Sequence, residues 1–117
     1  MARLAAQEVA DLLSHFDDVG PIREVAHERV AQDRKWGEQN HPDGTGGAAA
    51  KAVCEIVRAE CDDAHRSGRG TWRHILDEEM AEAYAESDPA ALRAELVQVA
   101  AVAVAWVEAI DRRQNGN

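Results

Sequence analysis

Aromatic residues are scarce in this chain: 4% of 117 residues, with one Phe, one Tyr and three Trp. Sheet proteins of this size draw on aromatic and β-branched side chains along their strands, so this scarcity, beside abundant alanine, favours closely packed helices. Basic residues are few as well. Thirteen Lys and Arg face 22 Asp and Glu, a net charge of −9. Broad contact with nucleic acid or an anionic membrane surface is therefore not expected, because phosphate neutralisation needs cations. The longest uncharged stretch, 96–107, is too short to span a hydrocarbon layer of about 30 Å. The only two cysteines, Cys54 and Cys61, read as neighbours on one helix. Their Cα atoms would stand roughly 10 Å apart there, beyond disulfide reach. Reduced thiols and a cytoplasmic location are the simplest expectation. Glu8 and Asp11 interrupt the N-terminal apolar pattern, so no signal-peptide core is expected. No internal repeat is present, and the length suits one domain over residues 1–117.

No segment alternates apolar and polar residues long enough to make a strand, and the expected class is all-α, a helical bundle. A flanking amphipathic helix is expected over 3–17, with Leu4, Val9, Leu12, Leu13 and Phe16 on its apolar face. The remaining helices are expected from residue 22 onward. The first of them covers 22–36 and stops at Gly37; the glycine-rich stretch 37–47, which includes Pro42, must be loop. A helix over 48–65 is expected to turn Ala52, Val53, Ile56 and Val57 inward. After the turn at 67–70, Thr71 is an N-cap candidate for a helix reaching Glu86, although Asp77 and Glu78 come later than a capping box requires. Asp88 followed by Pro89 is a helix-start signal, and the last helix runs to about Arg112. Its stretch 96–107 is apolar nearly all round, which suits a bundle centre or a subunit contact.

Glu79 and Glu82, and then Glu95 and Gln98, are each spaced so that both members share a helix face. Glu79 falls in the sector of Trp72, Ile75, Leu76 and Ala83; Glu95 falls in that of Leu92, Val99, Val102 and Trp106. Carboxylates within apolar stripes are costly to desolvate without a cationic partner. A shared metal ion answers that cost, and hard oxygen ligands point to Mg²⁺, with Mn²⁺ possible. Twelve residues separate Glu82 from Glu95. An antiparallel hairpin of the two acidic helices would gather Glu79, Glu82, Glu95 and Gln98, as bundle proteins gather carboxylates from facing helices. Taken alone, Glu79-x-x-Glu82 equally fits a solvated acidic face with Glu78 and Glu86.

Glu78-Glu79-Met-Ala-Glu82 followed by Glu95-Leu-Val-Gln98 resembles the E-E-x-x-E … E-x-x-D signature of the MazG-like all-α nucleoside triphosphate pyrophosphohydrolases. The stretch from Glu28 through Gln32, Trp36 and His41 to Pro42 is similar to the first helix and loop of phage and actinobacterial members. The resemblance covers about 22–112. It implies that Glu79, Glu82 and Glu95 are Mg²⁺ ligands and catalytic residues, with Gln98 where the family has an Asp. A Gln oxygen can ligate a hard cation but brings no charge, so weaker metal binding is expected. The implied reaction is attack of water on the α–β phosphoanhydride, giving a nucleoside monophosphate and pyrophosphate. In related dCTP pyrophosphatases a Trp and a His-bearing loop contact the base, which implies Trp36 and His41 here.

Lys35, Lys51, Arg69 and Arg73 are the candidate phosphate clamps, since a triphosphate carries more charge than one metal neutralises. Exposed Trp36 could stack on a base, or it could cover a helix end. His41 could read a base edge or close a loop. His27, His65 and His74 show no mutual ligand spacing, and Trp72 and Trp106 are expected to pack against the acidic helices. No Ser/His/Asp or Cys/His arrangement is expected, and Gly44-Thr-Gly46-Gly47 is too short for a phosphate-cradling loop and lacks its lysine spacing. A homodimer or homotetramer is expected, since one copy has few helices to cover 96–107. Two alternatives remain open at this point: a nucleotide-binding homologue without hydrolysis, and a helical protein-interaction module.

Overall fold

The structure, a computed structural model, describes residues 20–116; the helix expected over 3–17 lies outside them. Four helices and no strand occur among the described residues: α1 (Pro21–Trp36), α2 (Ala48–Arg66), α3 (Trp72–Ala85) and α4 (Pro89–Gln114). The chain falls into two compact units divided between His41 and Pro42.

In the first unit, Pro21 opens α1 at N1, where its missing N–H costs nothing. Gly37 ends it, with φ of 68° and its N–H bonded to the Asp33 carbonyl. Arg29 pairs with Asp33 one turn on, at 3.0 Å. Ile22, Val25, Val30 and Trp36 are all exposed.

In the second unit α3 is the middle element, packing on α2 from one side and on α4 from the other. Its start is fixed by a capping box of unusual composition. Thr71 Oγ1 accepts from the His74 backbone N–H at 3.2 Å, and the Thr71 N–H donates to His74 Nδ1 at 3.2 Å. His74 thus does at N3 what Glu or Gln ordinarily does, and the later Asp77 and Glu78 are not needed. At the start of α4, Asp88 Oδ2 accepts from the Ala91 N–H at 2.9 Å, with Pro89 at N1.

Apart from Leu92, the residues that α2, α3 and α4 bury are small. Cys54, Cys61 and Ala64 come from α2, Ala81 and Ala83 from α3, and Leu92 from α4. Small side chains at the crossings let helix axes approach closely. Of the four residues of 48–65 expected to turn inward, Ala52, Val53 and Ile56 do not, while Val57 is half-buried. Val53 and Ile56 are 52% and 59% exposed, and Ala52 is exposed as well. The face that meets α3 is the Cys54–Cys61–Ala64 stripe, while Val53 and Val57 border an apolar groove of about 380 Å³ with Met80 and Tyr84 of α3.

The α3–α4 pair is antiparallel, because its contacts run in opposite order along the two helices. Trp72, the first residue of α3, stacks on Trp106 late in α4, with ring centroids 6.4 Å apart and planes 10° from parallel. Glu82, late in α3, instead meets Glu95 early in α4. A strap closes the turn end of this pair. Thr45 Oγ1 donates to the Glu86 carbonyl at 2.6 Å, and the Gly46 N–H donates to the Tyr84 carbonyl at 2.9 Å. Gly46 has φ of 85°, and a Cβ there would lie 2.6 Å from Ser87 Cβ.

The stretch 96–107 is not a bundle centre. Leu96, Val97 and Val107 are exposed. By length and composition alone α4, 26 residues with a mean hydropathy of 1.6 over its most apolar stretch, is long and apolar enough to cross a membrane, and 6% of that stretch is buried. The unbroken helix, rather than the uncharged run within it, sets that length.

Candidate metal centre

Glu79 and Glu82 sit one turn apart on α3, on the side that meets α4. Glu79 shares its sector with Ala83, which is 1% exposed, and with half-buried Trp72, Ile75 and Leu76. Glu95 lies on α4 one turn beyond buried Leu92. The antiparallel pairing brings one carboxylate oxygen from each of Glu79, Glu82 and Glu95 within 4.8 Å of the others. The expected triad is therefore assembled.

Its electrostatics are unbalanced. Glu79 Oε2 and Glu95 Oε2 are shielded from solvent and have no hydrogen-bond partner among the described residues. An unsatisfied buried acceptor costs about 1–3 kcal/mol, and more when charged. Burial raises the Glu79 carboxyl above its ordinary range, and the charges of Glu82, Glu95 and Glu78 raise it further. Burial also raises Glu95, followed by the charge of Glu82, a hydrogen bond that the protonated Glu95 carboxyl makes to Glu82 and the charge of Glu86, with Arg58 pulling the other way. Shielded like-charged oxygens at this separation are what a small hard cation relieves. The oxygen-only donor set excludes a preference for soft metals.

One cation reaches the triad that the motif does not contain. Arg58 Nε of α2 donates to Glu82 Oε1 at 3.2 Å, and this bond holds the Arg58 guanidinium above its ordinary pKa. A sequence signal existed: Arg58 falls on the same helical stripe as Cys54 and Cys61, four and three residues away. A cation in the middle of an inward stripe needs an anion opposite it.

The other candidates stand as follows. Gln98 is exposed and makes no hydrogen bond among the described residues. Lys51 is exposed near the start of α2. Arg73 pairs with Asp77 at 3.7 Å and Arg69 with Asp63 at 3.1 Å, both on the surface. Lys35, Trp36 and His41 belong to the first unit. There Trp36 is 57% exposed, Lys35 Nζ lies 4.8 Å from its ring centroid, and His41 contacts the Gln39 side chain at 3.1 Å. Both cysteines are free and buried. Burial, then a hydrogen bond with Glu78, pushes the Cys61 thiol up to about 11, and burial also raises Cys54. Such thiols stay protonated and are poor nucleophiles or ligands.

Neither a protein-family model, nor a curated protein, nor a solved structure matches the chain.

Proposed function

We propose that this protein is a Mg²⁺-dependent nucleoside triphosphate pyrophosphohydrolase of the MazG-like type, with the antiparallel α3–α4 hairpin as its catalytic element. The observation that carries the reading is the pair of shielded, unpartnered oxygens on Glu79 and Glu95, within reach of Glu82. These donors fit a hard divalent cation, and Glu79, Glu82 and Glu95 would hold it. When bound, the ion would neutralise phosphate oxygens and acidify an attacking water.

The chain's own residues do the remaining work in this reading. The triad concentrates negative charge where only a cation-bearing polyphosphate is tolerated. In the second unit Lys51 and Arg73 are the candidate phosphate contacts; in the first, Trp36 and His41 are the base contacts that the resemblance implies, with Lys35 a further candidate for phosphate. A homodimer or homotetramer is supported by the exposed apolar residues Leu96, Val97 and Val107 on α4.

A second reading, a nucleotide-binding homologue without hydrolysis, is favoured by one observation. Gln98, where the family motif has an Asp, is exposed and uncharged. Pyrophosphate release from a panel of ribo- and deoxyribonucleoside triphosphates with Mg²⁺ separates the two. Release that disappears in Glu79→Gln supports the enzyme. Binding without release supports the homologue, and neither binding nor release removes the nucleotide reading.

A further inference from the structure

We propose that Arg58 is a two-sided residue of this site, with Nε neutralising Glu82 while its Nη1 and Nη2 groups receive a phosphate that arrives with the divalent cation. The inference rests on the reading of the triad as a metal site. Arg58 is the cation bonded to the triad among the described residues, and it comes from α2, the helix that supplies none of the three acids. Its side chain is 52% exposed, against 20% for Glu82. The guanidinium therefore reaches inward with one N–H and leaves the rest of its fork toward solvent. Neither Nη1 nor Nη2 has a hydrogen-bond partner among the described residues. A planar guanidinium can serve a carboxylate on one edge and a phosphate on another.

Charge balance explains why such a residue is needed. Three carboxylates exceed the charge of one divalent ion, and Glu78 and Glu86 add to the negative field on Glu79 and Glu95. A polyphosphate would meet a site that is still negative after the metal has bound. Arg58 supplies the missing positive charge at the triad itself. Arg69 and Arg73 are engaged with Asp63 and Asp77 instead.

The test uses the full chain as wild type, Arg58→Gln and Arg58→Lys, with Mn²⁺ alone and then inorganic tripolyphosphate as its Mg²⁺ complex, both followed by calorimetric titration. Arg58→Gln is expected to bind Mn²⁺ at least as tightly as wild type, because a competing cation has gone. It should bind the Mg²⁺–tripolyphosphate complex roughly tenfold more weakly, the loss of one charge-assisted contact, and Arg58→Lys should recover part of that. Equal tripolyphosphate affinity in wild type and Arg58→Gln overturns the role of Arg58 and leaves the metal site standing. Weaker Mn²⁺ binding in Arg58→Gln together with a lower melting temperature makes Arg58 a brace and also overturns it. Wild type that fails to bind Mn²⁺ removes the metal reading and this inference together.

Discussion

Glu79 and Glu95 face each other across the α3–α4 contact, each with one shielded oxygen that has no hydrogen-bond partner among the described residues. Both carboxyls are raised above their ordinary range. The folded chain therefore holds more protons than the unfolded chain from about pH 4, the ordinary carboxyl value, up to the raised folded values. Stability falls as pH rises through that window, so these acids penalise the metal-free fold above it and not below it. Glu79→Gln should stabilise the metal-free protein at pH 7 by on the order of 1 kcal/mol, with the gain shrinking toward pH 4. Mg²⁺ should raise the wild-type melting temperature at pH 7 and leave the variant unmoved. Thermal melts over a pH series, with Mg²⁺ or EDTA, measure both effects.

Gln98→Asp adds a charge one turn from Glu95 on the exposed side of α4. If the proposed pyrophosphohydrolase reading holds, it is expected to tighten Mg²⁺ binding and raise pyrophosphate release, since the added carboxylate supplies the fourth acid of the MazG-like motif. An unchanged rate would mean that the site works with a neutral oxygen, or without one, at that position.

Trp36→Ala should weaken nucleotide binding by roughly 1–3 kcal/mol, the worth of one base–aromatic stack. Lys35 beside the ring adds a cation to the same surface. Mg²⁺ affinity should stay the same in this variant. Fluorescence-independent titration of nucleotide and of metal, in both proteins, checks the pair of expectations.

Val97→Glu places a charge on the exposed apolar face of α4. If that face joins copies of the chain, light scattering should show a lower mass for the variant than for wild type at equal concentration. Equal masses would assign the contact to another surface.

Gly46→Ala should destabilise the protein by more than about 1 kcal/mol, since its positive φ and the nearby Ser87 leave no room for a Cβ. Gly44→Ala, with φ of 71° but open space around it, should cost less. Denaturant midpoints for the two variants give the comparison.

Helix starts were legible because their chemistry is local: Asp88 and Pro89 needed no knowledge of the rest of the chain, and Thr71 needed only three residues more. The role of His74 escaped notice because a capping box is read from Glu or Gln, whereas an imidazole nitrogen accepts the same bond. The two acidic stripes were legible because each Glu interrupts an apolar sector. The inward face of α2 was not, since Val53 and Ile56 form a more apolar sector than the Cys54–Cys61–Ala64 stripe that meets α3. A helical wheel ranks sectors by hydropathy, and close packing here selected the smaller side chains. Arg58 was missed for a related reason: its partner lies 24 positions away on another helix, a distance that no local spacing encodes.

The Trp72–Trp106 stack ties the far end of the α3–α4 hairpin and the short turn at 86–88 joins the near end, with the acids between. The stack and the turn keep the carboxylates gathered against their mutual repulsion. An incoming ion would then find its ligands already gathered, with little chain left to order. Capture should be limited by the rate at which the ion sheds its own water, so stopped-flow traces would contain a single phase whose speed follows the hydration of the cation.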